Sequence, residues 1–377
     1  MTVALVSKAW HEWALQQRDG APTFSPQPWE TLPLHAVQHA WRRSGLLKGH
    51  QEYRKLVAWA AGANELEVLI WLRPCVGLNV ILDDMTFFYA ARAGHVRVLQ
   101  WLRAHDPAGE WSVRSCARAA ATGGHLHVLQ WLRSQDPDGC WDSSQVVSRA
   151  AEGGHLHVLQ WLWSSSHDPP YLGDQLACSH AAKGGHLRIL QWLRSHDPCF
   201  PWPEDDACEL AAMRGHLDVL QWLRAQDPPC PWGAGACRTA AEGGHLGVLQ
   251  WLRSQDPPCP WNEHACIYAA QGGHLGVLQR LRSEDPPCPW SLWVCAHAAQ
   301  GGQLGVLQWL RSQDPPCPWD GRACAFAAQR GHLGVLQWLR SQDPPCPWDG
   351  RVVDYGKSHG HHELVRWALA HGVPLWW

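Results

Sequence analysis

The sequence repeats one pattern of apolar and polar positions along most of its length. Each copy reads close to A-A-x-G-G-H-L-x-V-L-Q-W-L-R, with small residues first and Leu and Val then recurring at intervals of three and four. Apolar residues at that spacing lie on one face of an α-helix. The preceding alanines favour another helix, which a glycine ends. Each copy therefore predicts two helices joined by a tight turn, which we call helix one and helix two.

The histidine of this pattern marks the repeat. It, or the residue in its place, recurs every 29 to 31 residues, which gives eleven copies from about residue 50 to the C-terminus. These markers number the repeats 1 to 11: Glu65, His95, His125, His155, His186, His216, His245, His274, Gln303, His332 and His361. A constant period in this range predicts a solenoid, in which each repeat buries its apolar face against its neighbours. The predicted fold class is all-α.

Proline-rich connectors follow helix two. In repeat 9 the connector reads Asp314-Pro315-Pro316-Cys317-Pro318, and its prolines prevent the helix from continuing and stiffen the chain. Asp320 then has the side chain of a good N-cap for helix one of the next repeat. The predicted order is helix one, tight turn, helix two and rigid loop.

The pattern A-A-x-x-G-H before an apolar helix resembles the ankyrin repeat. It is most similar to the short variety with a C-P-W loop that is abundant in algae, other protists and large DNA viruses. The usual T-P-L-H opening is replaced here, for instance by Arg322-Ala323-Cys324-Ala325, and the period is shorter than the ankyrin norm of about 33 residues. The resemblance implies a protein-binding scaffold, and the shorter period implies stunted β-hairpin fingers.

Composition narrows the function classes. Lys plus Arg number 31 and Asp plus Glu 34, so no field of one sign favours nucleic acid or an anionic membrane as a partner. No apolar run reaches the roughly 18 residues of a membrane helix. The apolar stretch at the start of the chain is too short for the core of a secretory signal. The odd number of cysteines, 15, indicates reduced thiols. We expect a monomeric cytoplasmic protein, with the nucleus also possible, that binds neither nucleic acid nor membrane.

Histidine and tryptophan are abundant because the repeat contains them. Equivalent positions of stacked repeats lie roughly 8–10 Å apart, so the nine histidines at the marker position form a row that does not converge on a metal ion. Ten tryptophans occur in helix two and eight in the loops, where they predict packing between repeats. No catalytic motif is found. The prediction is a protein without enzymatic activity, cofactor or metal.

The cysteines form two rows. The helix-one row is Cys178, Cys208, Cys237, Cys266, Cys295 and Cys324, and the loop row is Cys199, Cys230, Cys259, Cys288, Cys317 and Cys346. Pairing along a row needs Cα atoms closer than about 7 Å, which stacked repeats do not provide, and C-x-x-C is absent. Packing is the favoured interpretation, while reaction of the loop row with oxidants stays open.

One position changes from repeat to repeat and is the candidate for recognition. It lies six residues before the marker, and the ankyrin resemblance places it on the concave face that partners contact. The candidate partner-binding residues there are Tyr89, Arg149, His180, Leu210, Thr239, Tyr268, His297, Phe326 and Tyr355, with Ala119 in repeat 3. Neutral drift at an exposed site also explains such variation. The aromatic bias favours binding, since aromatic anchors dominate many interfaces.

The first 49 residues precede the array. Val3-Ala-Leu-Val-Ser-Lys-Ala-Trp resembles the last helix of an F-box, but the L-P-x-E-L-L half is missing, so the segment is either truncated or a relic. We expect an F-box remnant and linker in residues 1–32, a capping helix in 33–49 and the array in 50–377. The predicted function is a protein-interaction scaffold. Two alternatives stay open: a substrate receptor of a cullin-based ubiquitin ligase, and a thiol or metal sensor built on the loop cysteines.

Overall fold

The computed structural model describes residues 57–76, 84–105, 111–136, 143–165, 175–196 and 206–374. The chain divides into two compact units, an N-terminal unit at Met1–Leu172 with repeats 1 to 4 and a C-terminal unit at Gly173–Trp377 with repeats 5 to 11. The F-box-like segment of residues 1–32, the capping helix of residues 33–49 and Cys199 lie outside the described residues.

Every regular element within these ranges is an α-helix, and the helices alternate as the period predicts. Helix one spans residues 57–62, Asp84–Ala93, Val113–Gly123, Ser143–Glu152, Gln175–Gly184, Asp206–Arg214, Ala234–Glu242, Glu263–Gly272, Leu292–Gln300, Gly321–Gln329 and Arg351–Ser358. Helix two spans Leu66–Val76, Val96–His105, Leu126–Gln135, Leu156–Ser165, Leu187–His196, Leu217–Arg224, Leu246–Arg253, Leu275–Ser283, Leu304–Ser312, Leu333–Ser341 and His362–Ala370. The predicted all-α helical-repeat solenoid is confirmed.

Repeat 10 shows why the sequence produces this pair of helices. The carboxylate of Asp320 accepts a hydrogen bond from the backbone N–H of Arg322 at 2.9 Å and caps helix one. Gly331 ends the turn with φ at +76°, a left-handed conformation that glycine adopts without steric cost. The backbone N–H of His332 then donates to the carbonyl of Ala327 at 2.9 Å, which satisfies one of the last carbonyls of helix one.

The core of each unit lies between successive repeats. Helix one packs mainly against helix one of the next repeat, because its alanines and cysteines have small side chains. In repeat 10, Ala327 and Cys324 are fully buried on this helix. Helix two adds Leu336 and Leu339, which are also buried, at the spacing that the sequence predicted. Each repeat thus buries its apolar side against its neighbours, as a solenoid requires.

The loop of repeat 9 is held by its own helix two. The N–H of Cys317 donates to the carbonyl of Leu310 at 3.0 Å, and the Arg311 guanidinium donates to the carbonyl of Cys317 at 2.7 Å. The same guanidinium lies 4.1 Å from the ring centre of Trp319. The Asp314–Pro315 peptide bond is cis, as are the equivalent bonds of four other loops in the C-terminal unit. No strand occurs in the loops of residues 206–374.

The tryptophans are less buried than expected. In repeats 9 and 10, Trp319 of the loop contacts Trp338 of helix two edge to face, with ring centres 6.2 Å apart, and both rings are only half-buried. They join neighbouring repeats at the loop edge of the solenoid, where one side of each ring faces solvent. The predicted packing between repeats is found, but the stabilisation per ring is smaller than full burial would give.

Candidate partner-binding surface

The marker histidines connect consecutive repeats. His332 donates a hydrogen bond from Nε2 to the carbonyl of Gln300 at 3.1 Å, and His274 donates in the same way to Glu242 at 3.0 Å. In repeat 9 the side-chain amide of Gln303 takes this place and reaches the carbonyl of Gln271 at 3.4 Å. Each bond satisfies a carbonyl near the end of the previous helix one. The row therefore has a structural use in these repeats.

The glycine before the marker explains why a ring fits there. Gly244 has φ at +74°, and a Cβ added to it would come within 2.5 Å of Nδ1 of His274 in the next repeat. The imidazole therefore occupies the space that a side chain would need. Burial lowers the pKa of His95 and of His125 in the N-terminal unit below the usual value. In the described part of the chain, no group of three or more His, Cys, Asp or Glu is placed to hold a metal ion.

Three of the predicted partner-binding residues form one continuous row in the C-terminal unit. The ring centres of Tyr268 and His297 are 6.4 Å apart, and those of His297 and Phe326 are 5.7 Å apart. All three side chains are half-buried, with one side open to solvent. Repeats 8, 9 and 10 thus place their variable helix-one residues in contact across the solenoid.

A second column of variable residues, which the sequence analysis missed, extends this row. It lies four residues earlier in helix one, one helical turn away on the same face. Trp293 belongs to it, is 37% exposed, and has its ring centre 6.2 Å from His297 and 6.3 Å from Phe326. His264 stacks on Tyr268 at 6.4 Å. We call the five rings of His264, Tyr268, Trp293, His297 and Phe326 the aromatic surface.

The second column carries exposed apolar residues elsewhere too. Met85 in the N-terminal unit is 48% exposed, and Leu176 in the C-terminal unit is 47% exposed. Each lies four residues before a predicted partner-binding residue, Tyr89 and His180 respectively. The signal that would have found this column is therefore helical periodicity applied to the variable positions and not only to the repeated ones.

Ion-paired arginines border the aromatic surface. The guanidinium of Arg322 lies 4.2 Å from the ring centre of Trp293, and that of Arg238 lies 5.8 Å from Tyr268. Arg238 also pairs with Glu209 at 3.1 Å and Arg322 with Asp320 at 3.6 Å, so neither charge is uncompensated. These pairs hold the guanidinium groups against the rings, where cation–π attraction adds to the contact.

Neutral groups make up the rest of the rim. Gln271 donates to Gln300 at 3.4 Å, and Gln300 donates to Gln329 at 3.3 Å, which forms a ladder beside the rings. Nδ1 of His297 lies 3.4 Å from the side-chain oxygen of Gln271. Burial, and to a smaller extent nearby His264, lowers the pKa of His297, so this ring is neutral at neutral pH. The centre of the surface is therefore uncharged.

The remaining predicted residues do not join this surface. Thr239 contradicts the expectation of an exposed position, because it is only 6% exposed and its hydroxyl donates to the carbonyl of Glu209 at 2.9 Å. Ala119 is buried between Tyr89 and Arg149, so the N-terminal unit has no continuous row. Half-buried positions are also found at His180, Leu210 and Tyr355.

Comparisons with known proteins show a limited likeness. No family model matches the sequence, and no curated protein matches it either. Among solved structures, the crystal structure of the pentatricopeptide repeat protein PPR10 from maize matches with a TM-score of 0.29 and 11% sequence identity. The match covers 89% of this chain and 56% of that one, so the chain spans just over half the length of the solved protein.

The prediction that nucleic acid is excluded as a partner is wrong. Helical-repeat solenoids as a class include RNA-binding proteins, in which two or three side chains of each repeat read one base. Such recognition depends on side chains at particular positions, whereas net charge is a sum over the whole chain. A charge of -3 therefore does not exclude it. Among the helices that the structure describes, none has the length and apolarity needed to cross a bilayer.

Proposed function

We propose that this helical-repeat solenoid is a scaffold that binds a partner protein through the aromatic surface and performs no covalent chemistry there. The observation that carries the proposal is the contact of Tyr268, His297 and Phe326 across three repeats whose helix-two and loop positions are nearly identical. Contacting aromatic side chains at otherwise variable positions form a contiguous surface that a partner can cover.

The composition of this surface is that of an interface centre. Tyr, Trp and Arg are the residues most enriched among side chains that dominate binding energy, and charged residues are depleted from such centres. Here Trp293 and Tyr268 lie beside arginines whose charges are already paired. The rings also support one another, so ordering them on binding costs little rotamer entropy. The matching partner surface presents exposed apolar or aromatic side chains.

We further propose that the repeats are of the ankyrin type and that helix one forms the binding face. The pattern A-A-x-x-G-H, the left-handed Gly331 before His332 and the paired helices support this assignment. The shorter loops in residues 206–374 are stabilised by Arg–Trp contacts and contain no hairpin. Binding through the helix-one face does not require the loops.

A capture experiment with matched variants tests the proposal. The tagged full chain is compared with a triple variant, Tyr268→Ala, His297→Ala and Phe326→Ala, on beads with extract from its cells of origin. The control carries Gln250→Ala, Gln279→Ala and Gln308→Ala, three exposed helix-two positions in the same unit. Proteins that depend on the aromatic surface are identified by quantitative mass spectrometry and then purified for affinity measurement.

We expect the triple variant to bind the purified partner at least about 30-fold more weakly, the factor that loss of one residue worth about 2 kcal/mol gives. The glutamine variant should bind like the unchanged chain, and circular dichroism should show equal helix content for all three. Equal affinity of the aromatic variant would refute the proposal. Capture that ribonuclease abolishes, with RNA as the direct ligand, would also overturn it.

A further inference from the structure

Five repeats of the C-terminal unit bring two cysteines together. One comes from helix one and the other from the loop that follows helix two of the same repeat, so each pair joins the two rows that the sequence analysis treated separately. The pairs are Cys208 with Cys230, Cys237 with Cys259, Cys266 with Cys288, Cys295 with Cys317, and Cys324 with Cys346. All ten thiols are free and buried.

The geometry is clearest in repeat 7. The thiol of Cys237 donates a hydrogen bond to the carbonyl oxygen of Cys259 at 3.8 Å. Cys259 donates in turn from its own thiol to the carbonyl of Gly233 at 3.4 Å. Its backbone N–H is bonded to the carbonyl of Leu252 at 3.0 Å. Each thiol is therefore bonded to the backbone of the segment that carries or precedes the other cysteine, which holds the two side chains beside each other.

The same contacts recur along the solenoid. Cys295 lies 3.8 Å from the carbonyl of Cys317, and Cys317 lies 3.7 Å from the carbonyl of Ser291. The arrangement is thus a property of the repeat and not of one site. Simple filling of a cavity needs no second sulfur, since a single small apolar side chain would serve.

In repeat 7 the loop cysteine is the more reactive member of the pair. The S–H of Cys237 stabilises a thiolate on Cys259, and the nearby Arg253 guanidinium favours it as well, so the pKa of Cys259 is lowered while that of Cys237 is raised. The prolines on both sides of Cys259, Pro258 and Pro260, are exposed. The loop sulfur therefore lies one residue below the surface, where a small oxidant can reach it when the loop opens locally.

We propose that each cysteine pair is a redox-modification site, at which a hydroperoxide converts the two thiols into a disulfide within the repeat. The loop thiolate attacks one peroxide oxygen, the O–O bond breaks, and water or an alcohol leaves, so that the loop sulfur becomes a sulfenic acid. The helix-one thiol then attacks this sulfur, the S–O bond breaks, and the hydroxyl leaves as water with the proton of the thiol. Two thiols are oxidised and one peroxide is reduced.

The disulfide would join the loop to helix one of its own repeat. The two cysteines are 22 positions apart in the chain, so each cross-link closes a short loop and restricts the unfolded chain. Because every pair lies within one repeat, the five cross-links are independent of one another. We therefore expect a thermal midpoint that rises stepwise with the number of disulfides formed.

Intact mass and peptide mapping test the proposal on the full, reduced chain. The chain is treated with limited hydrogen peroxide, and its intact mass should fall by about 2 Da for each disulfide formed. The remaining thiols are then alkylated before peptide mapping. Peptide maps should link helix-one cysteines to loop cysteines of the same repeat. Cys237→Ser and Cys259→Ser should each remove the same single cross-link and leave the other four, which makes them matched controls for each other.

Other outcomes would overturn the proposal. They are links along a row, such as Cys259 to Cys288, gain of about 16 Da per added oxygen without cross-links, or no reaction while circular dichroism shows a folded chain. If Cys237→Ser fails to fold, Cys259→Ser gives the same readout from the loop side. Partner capture through the aromatic surface is measured separately under reducing conditions, so failure of either proposal is distinguishable from failure of the other.

Discussion

Four copies of helix two carry a glycine that nothing in the fold requires. Gly247, Gly276, Gly305 and Gly334 are exposed, and a Cβ added to any of them would meet no atom within 4 Å. Each is the second residue of a regular helix, and none is marked by a positive φ. Earlier repeats have side chains at the same position, such as His127 and Asp218. Alanine should therefore be accommodated without strain.

The expected gain comes from the unfolded chain. Replacing glycine by alanine at a compatible helical position stabilises a protein by about 0.4–1 kcal/mol, because the unfolded chain loses conformational freedom. Gly247→Ala should raise the free energy of unfolding by that amount. The four sites lie in different repeats and share no partners, so all four substitutions together should add about 2–4 kcal/mol.

Gly244→Ala is the matched control from the same turn. Its φ is +74°, and the new Cβ would lie 2.5 Å from Nδ1 of His274, so the substitution should cost more than about 1 kcal/mol. Urea unfolding followed by circular dichroism measures both changes. A neutral or destabilising Gly247→Ala would refute the reasoning, since it would mean that this face of helix two is covered or not helical. A harmless Gly244→Ala would refute the described contact with the histidine.

Two further predictions concern the marker histidines. His332→Gln should lower the free energy of unfolding by less than about 0.5 kcal/mol, because Gln303 makes the equivalent bond in repeat 9. His332→Ala should lower it by about 1–3 kcal/mol, because the carbonyl of Gln300 is left unpaired. Equal costs in urea unfolding would contradict this role of the histidine. The folded pKa of His95 lies below its ordinary 6.5, so the unfolded chain binds more protons and stability should fall as pH decreases below about 6.5. Thermal midpoints at several pH values should show a shallower decline for His95→Gln, and an unchanged decline would count against burial as the cause.

Local sequence patterns were sufficient for the repeat itself. The spacing of Leu and Val predicted helix two, which in repeat 10 is Leu333–Ser341, and the helix-ending glycine of the pattern is Gly331 in this repeat. Both depend on interactions within a few residues. The burial of the tryptophans was overestimated, because the exposed fraction of Trp338 depends on how far the next repeat covers it and not on nearby residues.

The repeat length could not predict which rows of residues contact each other. The sequence placed Cys237 and Cys259 in separate rows and considered neighbours only along each row, because a repeat length relates equivalent positions. How the loop folds back on helix one decides which rows meet, and this is a tertiary property. The burial of Thr239 is likewise a tertiary property, because its hydroxyl donates to the carbonyl of Glu209 in repeat 6.

The amino-acid sequence alone determined the number of repeats, the two helices in each and the variable position that contains Tyr268, His297 and Phe326, since periodicity and helix-ending glycines act locally. Only the tertiary structure decided that these rings touch, that Trp293 and His264 belong with them, and that two thiols meet in each of five repeats. The physical reason is that the thiols, 22 positions apart, meet because each loop folds back on helix one, and rings of neighbouring repeats meet through the offset between stacked helices. Close packing of small side chains sets that offset, and no single repeat encodes it.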